Sequence, residues 1–163
     1  MYPGGNIVKV APTLSTDAYG AADLLFDKQE IKSCVPSRGG TSLLRSMSMH
    51  QDITTDVDFI VMFFNNSTSL GASANDALSA VSDEELQAAG FIGAFGMNGG
   101  QNSMSIGNGR LYTYRGTNDI GMPLLVQAPS DKTSIWFAVG TEGGTPTYAA
   151  DSLSFTFGFQ YLG

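Results

Sequence analysis

The chain has 163 residues, of which 42% are hydrophobic and only 14% are charged, and its formal net charge is −7 at pH 7. This length fits one domain, and the acidic balance argues against nucleic-acid binding, which needs clustered Lys and Arg. The single cysteine, Cys34, excludes an intramolecular disulfide and a thiolate metal site. No apolar run approaches the ~18 residues that span a membrane, and the start does not resemble a secretory signal. We therefore expect no nucleic-acid partner and no membrane.

The first twelve residues form a segment of their own. An uncharged start, Met1-Tyr2-Pro3-Gly4-Gly5, leads into the apolar residues Ile7, Val8 and Val10. Extended peptides of this kind can add to the edge of a sheet. We expect residues 1–12 to be an N-terminal arm or a first strand, and favour an arm on a neighbouring molecule over docking on the same chain. The predicted interface residues are Met1, Tyr2, Pro3, Ile7 and Val8.

Four segments predict strands most strongly. Residues 42–50 alternate, which places Leu43 on the same face as Met47 and Met49. Residues 57–64 carry apolar side chains at both odd and even positions, which point to opposite faces of a strand. We therefore expect a central strand that is covered on both faces. Residues 134–140 carry the only tryptophan among residues that favour strands, and residues 153–162 alternate aromatic with small or polar side chains.

Shorter strands are predicted at residues 7–11, 24–34, 91–97, 104–106, 111–115 and 124–127. The segment Gly107-Asn108-Gly109 contains an Asn-Gly step, which is typical of a hairpin turn in which both central residues have positive φ. We expect this turn to pair the two strands that flank it.

One short helix is predicted near residues 82–90. Ser82 and Glu85 have the spacing of a capping box, and Gly90 is suited to end the helix. The glycine-rich segment at residues 96–100 lacks the Lys-Ser/Thr end of a phosphate loop and is predicted to be a loop or a β-bulge.

The pattern of many short strands, few helical residues and Gly-rich connections is typical of an all-β protein. We expect an antiparallel two-sheet sandwich, with the jelly roll as the favoured topology. Residues 13–163 would form this single domain.

Few residues suggest chemistry. The only histidine, His50, has no nucleophile motif beside it, so catalysis is not expected. Asp52, Asp56 and Asp58 are the candidate ligands for a hard cation such as Ca²⁺. Their spacing departs from the EF-hand pattern, and a turn in which Asp side chains bond their own backbone explains them without a metal. The sequence predicts no catalytic, cofactor-binding or metal residues and no cofactor.

Two segments resemble a known kind of protein. Val81-Ser82-Asp83-Glu84-Glu85-Leu86 followed by Gly90-Phe91-Ile92, and residues 145–153 (TPTYAADSL) running into the last strand, are similar to capsid decoration or cement proteins of tailed bacteriophages. The resemblance covers about the second half of the chain. It implies a jelly-roll virion protein, usually a homotrimer, that stabilises the capsid by binding between major capsid protein subunits.

From this resemblance we expect a non-enzymatic structural protein on the capsid surface, assembled in the host cytoplasm, with the major capsid protein and itself as partners. The alternative is a receptor- or carbohydrate-binding jelly-roll appendage of a phage particle. Exposed aromatic residues in loops would favour that alternative, and the candidates are Tyr19, Tyr112, Tyr114 and Tyr148.

Overall fold

Two antiparallel sheets form the protein in a computed structural model that describes residues 4–114 and 122–163. The larger sheet contains β1 (Gly5–Val10), β3 (Thr41–Gln51), β6 (Ser103–Ile106), β7 (Gly109–Thr113), β8 (Leu124–Gln127) and β10 (Leu153–Leu162). The smaller sheet contains β2 (Leu24–Ile31), β4 (Asp58–Phe64), β5 (Phe91–Met97) and β9 (Ile135–Gly143).

The strand pairs are nested along the chain. β1 pairs with β10, β2 with β9, β3 with both β7 and β8, and β4 with β5. This nesting is what results when one long antiparallel hairpin wraps around itself, so that successive pairs fall in alternate sheets. The resulting orders, β1-β10-β3-β7 and β2-β9-β4-β5, are those of a jelly roll. The predicted two-sheet sandwich is confirmed.

The strand β4 lies inside its sheet and is covered on both faces, as its sequence predicts. Phe59 and Phe63 lie in the core between the sheets. Met62 and Phe64 lie on the opposite face, in a second cluster that also contains Leu70. Residues 70–89 cover this outer face and include a 3₁₀ turn (Leu78–Ala80) and α1 (Asp83–Ala88).

The predicted helix is present with its capping box. The Ser82 side chain accepts a hydrogen bond from the Glu85 N–H, and the Glu85 carboxylate accepts one from the Ser82 N–H. Gly90 follows with a φ of 68°. The glycine-rich segment is not only a loop, because α2 (Gly99–Asn102) makes one helical turn there. The Asn98 side chain caps α2 by accepting hydrogen bonds from the first free N–H groups.

The predicted facing of β3 is wrong in its first half. Leu44 is buried, whereas Leu43 is only partly buried, and further along Met47 and Met49 are buried. The register against β10 shifts between Gly158 and Phe159, which leaves Arg45 without a partner residue. Such a bulge inserts one residue and exchanges the two faces of the strand beyond it. Strict alternation could not reveal this exchange.

The hairpin between β6 and β7 is confirmed, but its turn differs from the prediction. Ile106 pairs with Gly109, so Gly107 and Asn108 form the two-residue loop. Gly107 has a φ of 58°, whereas Asn108 has no positive φ. Positive φ at the first central residue alone is typical of a type II′ turn, which requires glycine there.

The first strand docks on its own chain. β1 pairs along its whole length with β10, and Val8 packs against the core while Ile7 points outward and is 71% exposed. For residues 5–10 the structure therefore shows a first strand and not an arm, because β10 satisfies one side of its backbone. The predicted interface residues Met1, Tyr2 and Pro3 lie outside the described residues.

Aromatic rings fill the space between the sheets. The β10 residues Phe155 and Phe157 lie with their ring centres 5.1 and 5.0 Å from that of Phe137 on β9. Phe137 also contacts Phe26 on β2 at 5.4 Å, and Phe157 contacts Phe63 on β4 at 5.8 Å. All four contacts are edge-on, the arrangement that aromatic pairs prefer.

We expect Phe137→Ala to lower the free energy of unfolding by about 3–5 kcal/mol, because the fully buried ring contacts three other rings and would leave a cavity. Urea unfolding followed by tryptophan fluorescence measures the loss. The control is Leu125→Ala, since Leu125 is 57% exposed and its truncation should cost about 1 kcal/mol or less. Equal losses for both variants would contradict the central role of Phe137.

Candidate functional site

The residues with the most reactive side chains do not cluster. His50 is exposed on β3, opposite Ser154 and Leu111 on the neighbouring strands. Among the described residues, none forms a hydrogen bond with its imidazole. Cys34 is fully buried, and its Sγ donates to the Thr133 carbonyl at 3.4 Å. In the described part of the chain, neither residue therefore has the base or the orienting partner that nucleophilic catalysis uses.

The three candidate calcium ligands have other partners or face solvent. Asp56 forms an ion pair with Arg110 at 2.5 Å, and the Asp58 carboxylate accepts a hydrogen bond from the Gly99 N–H at 2.8 Å. Asp52 is exposed. Within residues 4–114 and 122–163, no group of three or more His, Cys, Asp or Glu side chains is arranged to hold a metal ion. The partners of Asp56 and Asp58 lie far along the chain, so the expected local turn bonds do not form.

A buried polar network shapes this loop instead. The fully buried Gln51 donates to the carbonyls of Ile53 and Thr55 at 3.1 and 2.7 Å and accepts from the Tyr148 hydroxyl at 2.9 Å. The Tyr112 hydroxyl donates to the Val57 carbonyl at 3.1 Å. Burial raises the pKa of both tyrosines, which therefore stay neutral donors. The network fixes the loop that precedes β4.

Three of the four aromatic residues proposed for carbohydrate binding are not available for it. Tyr19, Tyr112 and Tyr148 are at most 2% exposed. Tyr114 is partly buried, and its ring centre lies 5.0 Å from that of Phe95. A sugar ring stacks on an exposed aromatic face, and three of these four rings offer none. They serve the core.

We expect Cys34 to resist alkylation in the folded protein. Burial raises the pKa of its thiol to about 12, so the thiolate fraction at pH 8 falls to roughly a thousandth of that of an exposed thiol. Iodoacetamide labelling at pH 8, quantified by mass spectrometry, should be at least about a thousandfold slower than in denaturant. Comparable rates in both conditions would show that the thiol is accessible.

The surface that stands out is the solvent-facing side of the larger sheet, which we call the outer sheet face. Strand pairing and exposure place on it Ile7, Lys9, Leu43, Arg45, Ser46, Ser48, His50, Met104, Ile106, Leu111, Thr113, Leu125, Thr156, Gly158 and Gln160. Its side chains are mostly small or apolar, and none is aromatic. The face therefore carries small side chains and is largely uncharged.

Charge is distributed unequally between the two sheets. None of the residues in β1, β3, β6, β7, β8 and β10 is Asp or Glu, although the chain has 15 acidic residues. The described acidic residues lie on the smaller sheet, as Asp27, Glu30, Asp58 and Glu142 do, or in helices and loops. The charged residues of the outer sheet face are Lys9 and Arg45, so this face is neutral to basic on an acidic protein.

Exposed apolar side chains concentrate on the same face. Of the large hydrophobic side chains that are clearly exposed in the described parts of the chain, Ile7, Met104, Ile106 and Leu125 lie there, and Phe91 lies elsewhere. Leu125 is 57% exposed and lies beside Leu43 on the neighbouring strand, while Met104 lies beside Leu111. These pairs form apolar spots between serine, threonine and glycine residues. The scarcity of charge on this face is a feature that it shares with the core of protein interfaces.

A depression of about 570 Å³ opens near one edge of this face. It is lined by Gly5, Asn6, Ile7, Arg45, Gly158 and Phe159. Gly158 provides the space, because a Cβ there would lie 2.3 Å from the Ser46 hydroxyl. The Arg45 side chain borders the depression and donates a hydrogen bond to the Gln160 side chain at 2.7 Å.

Of the predicted interface residues that the structure describes, Ile7 lies on this face. The absence of acidic residues from six strands is visible in the sequence. The strand pairing alone shows which strands share one sheet. It also shows whether the odd- or the even-numbered residues of β3 point outward on each side of the bulge at Arg45. Val8, a predicted interface residue, packs against the core instead.

Comparison with known proteins gives one structural likeness. No family model and no curated protein matches the chain. A solved structure described as "Structure of infectious bursal disease virus Gx strain" contains a chain that is 9% identical, with a TM-score of 0.35. The match covers 98% of the present chain and 38% of that viral chain, so the present chain spans well under half the length of its match. Where the structure describes helices, none is long and apolar enough to cross a bilayer.

Proposed function

We propose that this protein is a structural component of a virus particle that binds to the assembled shell through its outer sheet face. The observation that carries the proposal is the composition of this face: no acidic and no aromatic residue, four exposed apolar side chains, and two positive charges on a chain of net charge −7. Such a face favours a protein partner that is neutral or acidic. An acidic partner would be repelled by the remaining, negatively charged surface of this chain and would therefore bind through this face.

The size of the face suggests multivalent binding. A sheet of this width and strand length offers roughly 600 Å² of surface, from strand spacings of about 4.8 Å and a rise of about 3.3 Å per residue. A stable interface buries about 800 Å² on each partner. One copy alone would therefore bind weakly, and a homotrimer would bind more tightly through avidity. The homotrimer that the sequence resemblance implies would supply this multivalency.

In its specific form, the proposal is a capsid decoration or cement protein of a tailed bacteriophage. The partner is the major capsid protein, the location is the capsid surface of the virion, and assembly takes place in the host cytoplasm. No catalytic step is assigned. The lack of aromatic residues on the outer sheet face and the burial of Tyr19, Tyr112 and Tyr148 favour a protein partner over a carbohydrate.

We expect Leu125→Asp to weaken binding to capsids that lack this protein by at least about tenfold, or about 1.4 kcal/mol. The substitution removes an exposed apolar contact and places an unpaired carboxylate in the interface. Co-sedimentation of the purified protein with the capsids over a concentration series measures the affinity. Circular dichroism should show an unchanged fold, because the side chain is exposed.

The matched control is Ser79→Asp, which adds the same charge to an exposed position over the smaller sheet. Its affinity should stay within about twofold of the unmodified protein, a difference of under 0.5 kcal/mol. Unchanged binding of Leu125→Asp, or an equal loss in Ser79→Asp, would assign the contact to another surface.

A further inference from the structure

Within residues 4–114 and 122–163, the outer edge of β1 has backbone groups without a partner, in a regular pattern. The Tyr161 N–H donates to the Gly4 carbonyl at 2.8 Å, and the register continues through residues 5–10 against β10. In an antiparallel pair the hydrogen-bonded residues alternate. Residues 4, 6, 8 and 10 therefore bond to β10, whereas the N–H and C=O groups of Gly5, Ile7 and Lys9 point away from the sheet. No other described strand pairs with β1.

This edge lacks most features that prevent strands from pairing. Protected edges commonly carry proline, a bulge, several charges or a covering loop. β1 has a regular register without a bulge and one charged residue, Lys9, and Ile7 at its centre is 71% exposed. Gly5 keeps the strand flat against β10, since a Cβ there would lie 2.5 Å from the Phe159 carbonyl oxygen.

The sequence of this edge is complementary to itself. Two copies of β1 can lie antiparallel with Ile7 opposite Ile7 and Gly5 opposite Lys9. All three pairs are then of the hydrogen-bonded type, in which each pair exchanges two N–H···O bonds. The two isoleucines meet on the outer sheet face, and each lysine lies opposite a glycine and not opposite the other lysine.

The neighbouring registers are worse. The nearest ones, centred on Asn6 or Val8, also pair the outward-pointing residues. Centring on Asn6 places Lys9 opposite Pro3, which has no N–H to donate. Centring on Val8 places Ile7 opposite Lys9, so the two isoleucines no longer meet. The register centred on Ile7 is the one that pairs two β-branched side chains across the contact, and this edge therefore favours it.

We propose that β1 pairs with β1 of a second copy of this chain about a two-fold axis at Ile7, which joins the two larger sheets into one continuous sheet. The same patch serves both copies, as a two-fold contact requires. This contact does not rest on the proposed capsid role, and it differs from the three-fold contact of a homotrimer. In a shell, it would connect neighbouring trimers.

Charged substitutions at Ile7 test the proposal with the isolated protein, without capsids. Sedimentation velocity over a concentration series should show a monomer–dimer equilibrium for the unmodified chain. Ile7→Lys and Ile7→Glu each place like charges opposite at the two-fold axis, and each alone should weaken the dimer at least about tenfold. An equimolar mixture of the two variants should restore dimers, because opposite charges then face each other.

The control for the mixture is a charge-changing substitution at Lys9. Lys9→Glu mixed with the unmodified chain should give no more dimer than either protein alone, since Lys9 lies opposite Gly5 in the proposed register. A chain that stays monomeric at all concentrations overturns the proposal, as does a failure of the Ile7 mixture to recover dimers. Failure of capsid binding by Leu125→Asp bears only on the proposed function, because no capsid enters this assay.

Discussion

The contact between the β10 phenyl rings and Phe137 is the interaction on which the rest of the structure depends. β10 lies between β1 and β3 in the larger sheet, while β9 lies between β2 and β4 in the smaller one. Phe155 and Phe157 hold these two inner strands face to face. Because neighbouring strands take their register from an inner strand, one aromatic contact positions both sheets. This arrangement decides which strands form the outer sheet face and leaves β1 at the edge of the larger sheet.

The alternation of β10 separates stability from binding within one strand. Its odd-numbered residues from Leu153 to Phe159 are buried, whereas Thr156, Gly158 and Gln160 face solvent beside residues of β1 and β3. A substitution on the outer side therefore changes the surface without removing a core ring. This separation allows the outer face to consist of small polar and apolar residues. The bulge at Arg45 adds a positive charge to that face at the border of the depression.

The loop before β4 shows how a residue pattern that suggests one chemistry can serve another purpose. Asp56 and Asp58 look like cation ligands in the sequence, yet they bind Arg110 and the Gly99 N–H. The buried side chain of Gln51, which gives no motif, determines the course of the loop. The partners of Asp56 and Asp58 lie about 40 residues or more away along the chain, so local patterns carry no information about them.

The sequence by itself determined the fold class, the four strongest strands and the capped helix, because side-chain alternation and capping are local properties that a chain shows directly. It could not determine the facing of Leu43 and Leu44, since a bulge depends on the partner strand. It also could not show that β1 docks on β10, nor that six acid-free strands share one sheet. Those features are decided by pairing between distant segments, so only the tertiary structure reveals the outer sheet face and the edge at Ile7.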